Sequence, residues 1–167
     1  HGDLMGDHGI VLKGPLHYQG LVRVPFIWRD PAAAPDARAS RRDDLVSSID
    51  LPASILARAG ISAPNGSQGK PLFDTVGAVL PSGRDAVLIE ENQQRAYMGF
   101  ENPVRARTLV TERHRMTVFQ EGDWGELYDL LDDPLELVNL WEEPALAGVK
   151  STLLQRLVRA LIEHAET

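Results

Sequence analysis

The sequence predicts a mixed α/β fold of the α+β kind, the end of an α/β protein followed by a small antiparallel sheet closed by a long C-terminal helix. Three observations carry this. Short runs rich in β-branched and aromatic residues fall close together between residues 86 and 131, so consecutive strands pair as a meander. From Pro144 onward, apolar residues recur at spacings of three and four, which marks one face of a helix. Before residue 85, strand-like and helix-like stretches alternate with loops rich in Pro, Gly and Ser.

Taken in order, LVRVPFIWRD at 21–30 has the composition of a buried strand, with Pro25 pointing to an edge or strand end. DPAAAPDARASRRDD is a surface loop, and LVSSID a short strand or extended segment. Asp50 is placed to N-cap the helix LPASILARA, with Pro52 in its first turn and Gly60 ending it. Residues 61–85 are loop-rich, and PLFDTVGAVL is expected to hold a helical turn or two. AVLIEE is a strand, ARTLVTE and HRMTVFQ form a hairpin turning near Glu112 and Arg113, and ELYDLL adds a third strand to the meander. The final helix aligns Leu146, Val149, Leu153, Leu157 and Leu161, joined by Leu154, Val158 and Ile162. A division into residues 1–85 and 86–167 follows.

Composition narrows the function. At 167 residues and 43% hydrophobic content the chain can bury a real core. No window approaches 18 consecutive apolar residues, so no membrane partner is expected, and no export signal is visible in the first residues. With no cysteine, disulfides, thiolate catalysis and Cys-based zinc sites are excluded within these residues. A net charge of -7 argues against nucleic acid as a partner. The cluster Arg38, Arg41 and Arg42 is followed at once by Asp43 and Asp44 and reads as a solvated loop.

The opening HGDLMGDHGIVLKG concentrates His1, Asp3, Asp7, His8 and Lys13, oxygen and nitrogen donors suited to a divalent ion or an oxyanion. On composition alone it reads as a flexible polar terminus. Against that, Gly2, Gly6, Gly9 and Gly14 are spaced as in a tightly folded loop, and Ile10-Val11-Leu12 delivers Lys13 out of an apolar run. A lysine emerging from apolar packing is a candidate oxyanion clamp.

In order and spacing, His1-Gly2, Gly6-Asp7-His8-Gly9, Lys13 and Arg23-Val24-Pro25 resemble the C-terminal metal-and-anion segment of the sulfatases. These belong to the alkaline-phosphatase-like superfamily, with arylsulfatases, choline sulfatases and phosphonate monoester hydrolases. LVSSIDLPASILARAGI resembles the segment closing the family's large domain, and ELYDLLDDPLELVNL its final-strand motif before a C-terminal helix. The resemblance implies that residues 1–85 end a large sulfatase-like α/β domain with a partial metal and anion site, and that 86–167 form the small C-terminal domain.

By the same resemblance, His1 is a ligand of the active-site cation, calcium or alternatively manganese or magnesium, and Lys13 contacts an oxygen of the sulfate or phosphoryl group. His8, His17 and Arg23 are assigned either to the substrate pocket or to stabilising the loops, with Tyr18 beside His17. His114 and His164 match no motif. Family members attack with a formylglycine made from Cys or Ser in a C/S-x-P-x-R motif. This chain has no cysteine, and its near match Ser62-Ala63-Pro64-Asn65 leads to no arginine.

The resemblance therefore implies a C-terminal fragment of a hydrolase of small sulfate, phosphate or phosphonate esters, inactive by itself and prone to dimerise or aggregate through a truncated surface. The alternative is a stand-alone, non-catalytic binding or oligomerisation module, against which stands a beginning in mid-motif.

Overall fold

A computed structural model describes residues 1–33, 35, 40–96 and 99–165. Its contacts form two compact units, one from His1–Phe26 with Leu88–Glu163 and one built on Ile27–Val87. Residues 34 and 36–39 of the loop expected over 30–44, Arg38 included, lie outside the described residues.

The first unit is organised by a four-stranded sheet of order β1-β2-β3-β4, from Ala86–Asn92, Arg105–Thr111, His114–Phe119 and Gly125–Asp129. The hairpin turns at Glu112 and Arg113 as expected, and the Thr111 hydroxyl closes it by donating to His114 O and accepting the His114 N–H at 2.8 Å. Antiparallel register sets Leu109 against Met116 and Met116 against Leu127, three buried apolar residues on one face. On the other face Thr108, Thr117 and Glu126 align, as do Arg115 and Tyr128. This face is polar, yet all five residues are buried.

β4 is an outer strand, and its open side is closed by side-chain mimicry of a further strand. Asn139 Oδ1 accepts the Leu127 N–H and its Nδ2 donates to Gly125 O, both at 3.0 Å. Gly125 is required here, since a Cβ would stand 2.7 Å from Thr117 O and from the Trp141 ring. The last helix, α3 over Ala147–Glu163, lies against β2 and buries Leu153 and Leu157. Val158 and Ile162, expected on the buried face, are exposed, because one sheet-facing stripe takes only the central leucines.

LVRVPFIWRD is not a strand. Gln19–Val22 instead form a single helical turn, α1, and Val24, Phe26 and Ile27 are exposed. A strand requires a partner, none of the described strands pairs with this segment, and Pro25 brings no N–H to a ladder.

In the second unit, α2 runs Asp50–Arg58 and ends at Gly60, whose φ of 69° permits the Schellman bonds from Gly60 N to Ala57 O and from Ile61 N to Leu56 O. The start departs from expectation. LVSSID holds no strand, and Asp50 is the first helical residue, not the cap. Its carboxylate is fully buried and accepts from Ser47 N, Lys70 N and Arg84, so it bonds to distant donors in place of its own helix. Nor does PLFDTVGAVL hold a helical turn. Asp74 Oδ1 captures the amides of Val76 and Ala78, and Phe73 pairs with Val79 across the resulting turn. Trp28 stacks on Phe73 at 4.5 Å, and Arg58 ties Asp30 to Thr75 O.

Candidate functional site

The Gly-rich opening is a folded loop and not a frayed end. Leu4 is buried and its N–H bonds to Leu12 O at 2.8 Å, while Gly2 N bonds to Leu21 O at 2.9 Å. A Cβ at Gly2 would fall 2.1 Å from Gly20 O, so only glycine lets these segments meet. Between them Asp7–Gly9 make a one-turn 3₁₀ helix, and His8 itself adopts a left-handed φ of 55°. Leu12, at φ 66°, turns the chain just before Lys13.

This geometry brings Lys13, His1 and Asp3 together. Lys13 Nζ lies 3.2 Å from His1 Nδ1 and 3.3 Å from Asp3 Oδ2, and both charged side chains retain substantial exposure. An ammonium between a carboxylate and an imidazole at a solvent-facing loop can exchange its carboxylate partner for an incoming oxyanion.

The remaining expected residues divide. The exposed His8 stacks on the Tyr18 ring at 3.7 Å and 16°, which braces the loop. Buried His17 accepts or donates at Nδ1 with the Thr108 hydroxyl at 2.7 Å, and its Nε2 is 3.9 Å from Glu91. Burial, helped by the Arg115 charge, pushes its pKa down to about 4, so the imidazole is neutral near pH 7. Arg23 is exposed and, among the described residues, makes no ion pair, while its N–H closes α1 on Gln19 O. His114 lies 4.0 Å from Asp129 in the hairpin, and His164 offers its carbonyl to Gln68 in the second unit.

Sequence reasoning missed a buried polar network under this loop. Arg115, fully buried in β3, donates to Glu126 Oε2 at 2.7 Å, to Thr117 Oγ1 at 2.9 Å and to Glu136 Oε1. Its guanidinium lies 5.0 Å from the Tyr18 ring and 4.7 Å from Tyr128. Thr117 and Thr108 share a hydrogen bond at 2.7 Å, which carries the chain of contacts on to His17. Glu136 Oε2 accepts the Gln19 N–H at 2.6 Å. Local sequence carries no signal for it, since Arg115 sits second in the strand HRMTVF like a solvated cation and its partner Glu136 lies 21 positions on.

Among the described residues no group of three or more His, Asp or Glu is placed to hold a metal. His1 and Asp3 already share the Lys13 ammonium. Among the described residues, these side chains alone do not make a divalent-cation centre.

A family model described as N-sulphoglucosamine sulphohydrolase, C-terminal, matches residues 6–163. The chain is 30% identical over 161 residues to an uncharacterised sulfatase of Escherichia coli, YidJ, covering 95% of this chain and 30% of that protein. With an arylsulfatase of Clostridium perfringens it shares 30% identity over 141 residues, 84% of this chain and 27% of the relative. The solved phosphonate monoester hydrolase of Agrobacterium radiobacter has the same fold, with a TM-score of 0.82 at 26% identity over 98% of this chain and 34% of that one. The chain thus spans about 30% of the length of these curated relatives. Since the family model accounts for almost all of its residues, the chain belongs to the sulfatase family and corresponds to the family's C-terminal region.

Proposed function

We propose that this chain is the C-terminal part of a metal-dependent hydrolase of sulfate esters, with phosphate or phosphonate esters as the related alternative. Lys13 is the contact to an ester oxygen, and His1 is one donor to the divalent cation. The observation that carries this reading is the meeting of Lys13 and His1 at 3.2 Å in a loop fixed by its own backbone bonds.

Cleaving a sulfate or phosphate ester builds negative charge on the transferred group and the leaving oxygen. An ammonium held in place before reaction stabilises that charge without reorganising. In the substrate-free loop Asp3 balances Lys13, and the ester oxyanion takes its place on binding. His17 is neutral and buried, so it serves the loop as a hydrogen-bonding post and moves no proton in the reaction. A bound cation would polarise the ester oxygen as a Lewis acid, and these residues offer it His1 without completing its donor set.

The family's formylglycine nucleophile has no counterpart among these residues, so the 167-residue chain alone is expected to be inactive. The test is to incubate the purified chain with 4-nitrophenyl sulfate and a phosphonate monoester, adding calcium or manganese. No release above the blank is the expected result, and turnover would overturn the inactivity. Reading the coding sequence just upstream of the His1 codon tests the membership in a larger enzyme. An aspartate codon there and a C/S-x-P-x-R motif farther upstream agree with it, whereas a start codon there favours a stand-alone binding module.

A further inference from the structure

We propose that the Arg115–Glu136 ion pair is a positioning device for the Lys13 loop, acting through the Gln19 amide. The inference rests on the reading of Lys13 as an anion contact and extends it to residues of the sheet and its following loop. Stability alone does not account for the pair, since a fully buried ion pair is often no more stabilising than apolar residues of the same volume. Glu136 also holds a left-handed φ of 56°, a backbone conformation costly for a residue with a side chain.

What Glu136 does from there is specific. One oxygen is held by Arg115 Nε, and the other takes the Gln19 N–H at 2.6 Å. Gln19 opens α1, α1 presents Leu21 O, and Leu21 O takes the Gly2 N–H at 2.9 Å. Gly2 lies between His1 and Asp3, the two residues that meet Lys13. A second route runs from Arg115 through Thr117 and Thr108 to His17, four residues past Lys13. Tyr18 joins the two routes, with its ring against both the Arg115 guanidinium and His8 of the loop. The glycines give the loop its shape but leave it soft, and the buried pair supplies a rigid anchor at both of its ends.

A single substitution can cut the first route without deleting a charge. Tyr18 has φ -60° and ψ 153°, the backbone that a residue before proline adopts, and Gln19 is the first residue of a helix, where proline is accepted. Gln19→Pro therefore removes the N–H bonded to Glu136 and sets a ring carbon in its place, so the Glu136 carboxylate must withdraw from Gln19 while both charges of the pair are kept. Glu136→Gln is the companion variant, keeping an acceptor while removing the charge.

In the 167-residue chain, amide exchange of Gly2 and Leu4 and the affinity for inorganic sulfate, followed by NMR at the Lys13 amide, are measured together. Loss of a charge-assisted hydrogen bond should speed Gly2 and Leu4 exchange by about tenfold or more and weaken sulfate by about fivefold or more. The Met116 and Leu127 amides should be unchanged. Loop exchange and sulfate affinity within about twofold of the unmodified chain in both variants would overturn the proposal. So would equal acceleration at Met116 and Leu127, which would make the pair a general stabiliser of the sheet. If the unmodified chain binds no sulfate, or Lys13→Ala binds it equally well, the anion-contact reading fails, and the Gly2 and Leu4 amides alone decide the positioning role.

Discussion

Replacing Asp50 by asparagine should cripple the second unit. The carboxylate is wholly buried and receives four donors, Lys70 N at 2.8 Å and Arg84 Nη2 at 2.5 Å on one oxygen, Ser47 N at 2.8 Å and Arg84 Nε at 3.2 Å on the other. Whichever way the amide is turned, its NH₂ faces one backbone N–H and one nitrogen of Arg84. The variant thus strands a buried donor and leaves a guanidinium that is only 7% exposed without its counter-charge. Removing one partner of a buried pair costs about 3–5 kcal/mol, a large share of the roughly 5–15 kcal/mol that stabilises a typical domain. In native-state amide exchange, a loss of about 3 kcal/mol appears as more than a hundredfold faster exchange at the amides that close α2, Ala59 and Ile61, which bond to Ile55 O and Leu56 O.

The pH dependence gives a second check. Burial pushes the Asp50 carboxyl up, but Arg84 and the Lys70 and Ser47 amides outweigh it and hold the pKa below the ordinary 3.8. A depressed carboxylate stabilises the fold fully above its unfolded value and loses that contribution as pH falls through its folded value. The gap between the two proteins should therefore narrow only below about pH 3.8. Exchange in α2 within about threefold of the unmodified chain at neutral pH would refute the reasoning.

Three further predictions follow from the first unit. His17, held at about 4 against an ordinary 6.5, is protonated first in the unfolded chain, so stability should fall by about 3 kcal/mol as pH drops from 6.5 to 4. His17→Gln should remove that part of the slope in urea midpoints, and an unchanged slope would contradict it. Asn139→Ala strands the Leu127 N–H and Gly125 O and should lower stability by about 1–3 kcal/mol, seen as faster exchange at Leu127. Val11, Leu12, Val24 and Phe26 are exposed, so the isolated chain should self-associate with rising concentration in light scattering, whereas a strictly monomeric chain would count against that expectation.

Where the fold followed local pattern, the sequence was enough to read it. The hairpin at Glu112 and Arg113, the stop at Gly60 and the leucine stripe of α3 all depend on residues within a few positions of each other. Asp50 was misread as a cap because its true partner, Arg84, is 34 positions away. LVRVPFIW has strand composition, but pairing is a non-local property that composition does not carry. The Lys13 loop was legible from its glycines, whereas its anchor was not. Arg115 looks like any solvated strand residue until Glu136, 21 positions on, and Tyr18 close over it.

The central claim is that Lys13 serves sulfate-ester chemistry in an enzyme of this family. It is tested most directly by expressing the whole reading frame that contains these residues and measuring 4-nitrophenyl sulfate hydrolysis with and without Lys13→Ala. A preorganised cation at the developing charge predicts a fall in kcat of about 10²–10³-fold with the fold intact. Activity of Lys13→Ala within about twofold of the unmodified enzyme would contradict the account.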